Sequence, residues 1–174
     1  MKKQKLYLRI STRILIISAL ICISACGENL IPAAINGYNH TDSRSIYSFT
    51  VNGAMGSNPG PLSGGGKESC CVSLPSTWRP GLKAKVAWEY DSGSGIPLPP
   101  PPQVVEVDIP KYKHPGKFQV HFYDNNKIKI VISDCGIEHP FYPMSKADIL
   151  PWEAIGAKEG ALDSQRRGGM KTDC

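Results

Sequence analysis

The sequence predicts a mainly β protein, a small antiparallel sandwich or a curled sheet. Three observations carry that prediction. Several short stretches alternate apolar and polar residues with period two, as Ile46-Tyr47-Ser48-Phe49-Thr50-Val51 does. Turn pairs such as Asn52-Gly53 and the run Asp124-Asn125-Asn126 punctuate them. After the last strand, Pro140, Pro143 and Pro151 leave room for no more than a short C-terminal helical piece.

In chain order, the first strand expected is residues 46–51. Ala54 to Gly66 is rich in Gly, Ser, Asn and Pro and reads as a loop. The stretch from Gly64 to Gly81, GGGKESCCVSLPSTWRPG, supplies Val72, Leu74 and Trp78 as apolar anchors, with Pro75 and Pro80 at turns. Lys83 to Tyr90 is the second strand, with Val86, Trp88 and Tyr90 on one face. Asp91 to Pro102 ends in PLPPPP, a stiff polyproline-type connection without donors for a sheet. Residues 104–109, 118–123 and 127–133 complete the strands, the last two as a hairpin with Ile128, Ile130 and Ile132 on one face. A short helix is expected over 145–150 or 152–158, followed by a flexible polar tail over 159–174.

The N-terminus carries a separate signal. Lys2, Lys3, Lys5, Arg9 and Arg13 precede the apolar run Ile14 to Ile23, then Ser24-Ala25-Cys26. A basic start, about ten apolar residues and small residues before a cut site describe a secretory leader. The run is too short to span a bilayer, which needs roughly twenty apolar residues. Ile23-Ser24-Ala25-Cys26 resembles the lipobox of bacterial lipoproteins. That resemblance implies a signal peptide over 1–25, acylation (palmitate-type) of Cys26, and Gly27 directing the protein to the outer membrane, on its periplasmic face. Each buried methylene of an acyl chain contributes about 0.8 kcal/mol, so several chains hold firmly. Residues 26–45 then read as a lipidated tether, and 46–158 as the β-rich domain.

Removing the leader changes the charge. The chain has 20 basic and 15 acidic residues. Five of the basic ones lie in the leader, which leaves a formally neutral mature chain. A basic stripe for nucleic acid is therefore not expected. An oxidising compartment permits disulfides among Cys70, Cys71, Cys135 and Cys174, which allow three full pairings. A vicinal Cys70–Cys71 bond is the least suited structurally, and the expectation is that one of the two approaches Cys135.

The Gly-rich stretch fails each chemical test. Gly66-Lys67 is followed by Glu68, not Ser or Thr, and Pro61 stands where a phosphate loop needs its first Gly. Adjacent Cys70 and Cys71 lack a second ligand pair for metal, and there is no CxxC. No Gly-x-Ser-x-Gly elbow is present. His121 shares a face with Gln119 and Tyr123 and reads as a polar face residue. Asp134, Glu138 and His139 form a loose polar group. No cofactor, metal or catalytic residue is assigned, and an enzyme is not expected.

Asn52-Gly53-Ala54, the Gly-rich loop, Cys70-Cys71, Leu74-Pro75, Trp78-Arg79-Pro80-Gly81-Leu82 and Trp88 together resemble a family of small proteobacterial lipoproteins of formerly unknown function. Val105-Glu106-Val107, Pro110-Lys111-Tyr112, Gly116, His121-Phe122, His139-Pro140 and Tyr142-Pro143 fit the same pattern. The resemblance covers roughly Tyr47 to Lys158. It implies an immunity protein of type VI secretion, a membrane-anchored periplasmic lipoprotein that binds and neutralises a phospholipase effector. The expected partners are that effector protein and the membrane. The contacts expected are the loop Ala54–Lys67 with Lys67, then Trp78, Arg79 and the Pro-rich segment. The alternative function is an envelope structural lipoprotein docking a cell-wall or secretion component.

Overall fold

The computed structural model describes residues 27–149, apart from 65, 93–96 and 140. Among these described residues, nine strands run in chain order. These are β1 (Leu30–Asn39), β2 (Ile46–Val51), β3 (Ala54–Met55), β4 (Ser63–Gly64), β5 (Ser69–Pro75), β6 (Lys83–Tyr90), β7 (Gln103–Asp108), β8 (Lys117–Phe122) and β9 (Ile128–Ser133). One short helix, α1 (Lys146–Ile149), follows. The second expected helix and the tail lie outside the described residues.

The strands form two sheets. One has the order β4-β1-β8-β9, with β5 also paired to β1; the other has the order β3-β2-β6-β7. All pairings are antiparallel except β1 with β8. The sheets pack as a sandwich. Ile35, Phe118, Val120, Phe122 and Ile132 from the first meet Ile46, Phe49, Val51, Val86 and Trp88 from the second, all buried. Phe122 joins the two sheets directly, edge-on to Phe49 at 5.2 Å and 5.7 Å from Trp88.

Local sequence explains the turns. Asn52 and Gly53 have φ of 51° and 86°, and Asn125 and Asn126 have φ of 59° and 58°. Two consecutive positive φ values define the tight turn whose twist suits a hairpin, and Asn and Gly adopt it most readily. They close β2 onto β3 and β8 onto β9. At the first, Phe49 reaches across to Gly56, whose amide donates to the Phe49 carbonyl at 2.9 Å. A Cβ on Gly56 would sit inside the Phe49 ring.

Two expectations need correction. Residues 30–39 are not tether but β1, flanked by β5 and β8 and buried from Ile35 to Asn39. Leu-Ile-Pro-Ala-Ala-Ile-Asn-Gly-Tyr-Asn lacks β-branched alternation. It is a strand because neighbours on both sides use its backbone groups, so packing overrides propensity.

The second correction concerns the cysteines. Cys70 and Cys71 are bonded to each other, across a cis peptide bond. Ile35 pairs with Ser69 and Ala33 with Val72, so Cys70 and Cys71 together oppose Ala34 in a β-bulge. Cys135 follows β9, at the opposite edge of the sheet. With β1 and β8 between β5 and β9, at about 4.8 Å per strand step, the gap exceeds the ~4.4–6.8 Å Cα separation of a disulfide. Cys135 is itself disulfide-bonded, but not to Cys70 or Cys71.

Candidate interaction surface

The two sheets treat their outer faces differently. Asn36, Tyr38 and His40 alternate along β1 and just beyond it, and Gln119, His121 and Tyr123 along β8 and just beyond it. Parallel register sets Asn36 beside Gln119 and Tyr38 beside His121. Residues 134–149 cover this face, with Cys135, Ile137 and Tyr142 packed on Tyr38 and Val131.

Under that cover lies a directed hydrogen-bond chain. The Gln119 side-chain amide donates to the carbonyls of Ser133 (2.9 Å) and Cys135 (2.8 Å). Its Oε1 is therefore the atom that accepts from the Tyr142 hydroxyl at 3.1 Å. Tyr142 Oη then accepts from His121 Nε2–H at 2.7 Å. That leaves His121 Nδ1 to accept from His40 Nε2–H at 2.9 Å. Tyr38 stacks on the His121 ring at 4.7 Å and 5°. Burial, then the neighbouring His40, holds the His121 imidazole well below its usual range, so it is neutral. Burial also pushes the hydroxyls of Tyr142, Tyr123 and Tyr38 upward. His121 was expected as an ordinary polar face residue. The structure places it on that face, with no exposed surface.

Among the described residues, nothing covers the outer face of the other sheet. Met55 pairs with Thr50, Thr50 with Ala87, and Ala87 with Val104. These four form one transverse row across β3, β2, β6 and β7. Met55 is 62% exposed and Val104 56%. On one side of the row, Lys85 pairs with Glu106 and Lys83 with Asp108. Lys83 Nζ also meets Glu106 Oε1 at 2.8 Å. On the other side Ser48 pairs with Glu89, and Tyr47 stands 61% exposed at a bulge in β2.

The three contact residues expected from sequence do not meet. Lys67 is exposed on the rim of a cavity of about 270 Å³ floored by Gly37 and Gly64 and walled by Ser57, Asn58 and Ser63. Trp78 and Arg79 lie near the other end of β1, where Ser76 N donates to Asn29 O. Trp78 is partly buried against the core, and its indole N–H donates to Ile109 O at 3.0 Å. Arg79 is exposed and pairs with Glu28 at 3.0 Å. Cys26 lies outside the described residues. Among the described residues, no group of three His, Cys, Asp or Glu side chains is placed to hold a metal ion. No helix there is long and apolar enough to cross a membrane.

Sequence reasoning missed the open row and the buried chain. The chain had a signal, the polar-aromatic alternation of Asn36-Tyr38-His40 and Gln119-His121-Tyr123. The row had none, because its members come from four strands whose register one sequence does not display.

The chain belongs to the family described as a protein of unknown function (DUF3304), which matches residues 38–130. That span runs from Tyr38 through Ile130 and so holds both halves of the bare face. No curated protein matches the chain. No solved structure matches it either.

Proposed function

We propose that the protein is a lipid-anchored periplasmic immunity protein that binds and neutralises a type VI secretion phospholipase effector. The leader and the lipobox-like Cys26 support the location, and the resemblance noted in the sequence supports the partner. The observation that carries the binding role is the open face of the β3-β2-β6-β7 sheet. Met55, Thr50, Ala87 and Val104 form an apolar centre rimmed by Lys83, Lys85, Glu89, Glu106 and Asp108. Apolar centres with polar rims characterise protein interfaces. Anchoring inhibitor and incoming enzyme in one thin compartment raises their effective concentration.

The test is an inhibition titration. The full-length protein, in micelles of an uncharged detergent, is added to a type VI secretion phospholipase effector of the same organism while phospholipid hydrolysis is followed. Stoichiometric loss of hydrolysis with a one-to-one complex is expected. Val104→Asp, at an exposed position, is expected to abolish inhibition without shifting the unfolding transition. No complex and unchanged hydrolysis would overturn the proposal.

A further inference from the structure

At the edge of the open face the Pro-rich segment forms a fixed wall. Arg44 Nη2 donates to the Pro97 carbonyl at 2.8 Å and reaches that of Leu98 at 3.4 Å. At the other end, Gln103 Nε2 donates to Pro101 O at 2.6 Å. Between this strap and the sheet is a cleft of about 370 Å³, lined by Tyr47, Glu89, Tyr90, Pro99, Pro100 and Pro102 among others. Tyr90 is held by its hydroxyl, which donates to Asn126 Oδ1 at 2.9 Å. Neither Lys nor Arg lines the cleft.

We propose that this cleft receives one arginine side chain of the protein that covers the open face. The proposal rests on that face being the partner's, as argued above. The chemistry selects the group. Tyr47 offers an exposed ring, Tyr90 the part of its ring that the core leaves uncovered, and Glu89 an exposed carboxylate. A planar guanidinium stacks on aromatic rings while pairing with a carboxylate through two parallel N–H bonds. An ammonium is a compact, strongly hydrated point charge without the planar fork, so it does both less well. A quaternary ammonium has no N–H for Glu89. The prolines make the wall flat and preset, so binding orders little chain. The position selects the source. Glu89 pairs with Ser48 in the row next to Thr50 and Ala87, so the cleft is continuous with the apolar centre. A partner seated on that centre delivers its side chain without a separate docking event.

The experiment needs no effector, so its outcome is separate from the inhibition assay. Full-length protein with isotopically labelled tyrosines is titrated with N-acetyl-arginine amide and followed by NMR. Saturable shifts confined to Tyr47 and Tyr90 are expected, with dissociation at about ten to a hundred millimolar, the sum of exposed cation–π contacts and one exposed ion pair. Glu89→Gln should weaken binding roughly two- to fivefold, the range of an exposed ion pair. Tyr47→Ala, at an exposed position, should abolish it. The uncharged isostere N-acetyl-citrulline amide should not saturate. Equal binding of the citrulline compound, indifference to Glu89→Gln, or shifts spread over all tyrosines would each overturn the proposal. So would tighter binding of tetramethylammonium, which would point to a lipid headgroup instead.

Discussion

His121 is the group whose ionisation this fold opposes most directly. Its imidazole is fully buried and neutral, with both ring nitrogens committed to Tyr142 and His40. In the unfolded chain it titrates near 6.5, and in the folded chain well below that. The unfolded state therefore binds the extra proton first as pH falls. The stability this neutral histidine contributes is fully present above about pH 6.5 and is lost as pH drops towards the folded value. The unfolding free energy from urea titrations should fall between pH 7 and 5, by up to about 1.4 kcal/mol per pH unit. His121→Gln should flatten that slope while lowering stability at pH 7. An unchanged slope in the variant would assign the effect elsewhere. Asp148 is a separate contributor, held low by Lys129 and Ser145, and its loss belongs below pH 4. Phe49 poses a steric test of the same kind. Gly56→Ala places a methyl in its ring and should cost about 1–3 kcal/mol. Combining it with Phe49→Leu should cost less than the two changes summed, because the leucine vacates that space.

Among elements, β2 and β6 were legible to the residue and β7, β8 and β9 to within one. Their alternation is local, and the Asn-Gly and Asn-Asn turns mark their ends. β1, β3, β4 and β5 were not legible. β3 and β4 are two residues long and owe their pairing to the loops that carry them. β5 hides its alternation behind the Cys70–Cys71 bulge. β1 reads as a tether because Pro32, Ala33, Ala34 and Gly37 dilute any pattern, yet it pairs with three strands, β4, β5 and β8. The covering segment depends on one hydroxyl in a similar way. Tyr142→Phe strands His121 Nε2–H and Gln119 Oε1 without partners in a buried place. A loss of about 1–3 kcal/mol is expected. Hydrogen exchange should show the effect concentrated in residues 134–149, with the β2-β6-β7 amides nearly unchanged. Uniform loss of protection would mean that the segment and the sandwich open as one unit.

At the scale of the molecule, the start of β1 at Leu30 alters what lipidation of Cys26 would mean. A nineteen-residue tether would let the domain roam, whereas three residues, Gly27 to Asn29, leave almost no slack. At about 3.5 Å per residue, a lipid on Cys26 would be held within roughly 15 Å of the first strand. Glu28 is further tied to Arg79, and Asn29 O to Ser76 N. The end carrying Leu30, Thr77 and Arg79 would therefore face the bilayer. The Asp124–Asn126 turn lies beyond the other end of β1, whose ten residues span about 30 Å. The open face runs between these ends and would stay available to the proposed effector. A fluorophore at Thr77 on the vesicle-bound protein should be quenched strongly by nitroxide-labelled lipids, and one at Asn125 weakly. Cys26→Ala should release the protein from membranes and remove the difference. Equal quenching at both positions would mean that the short leash does not orient the domain. Retention of Cys26→Ala on membranes would mean that the leash is not a lipid anchor at all.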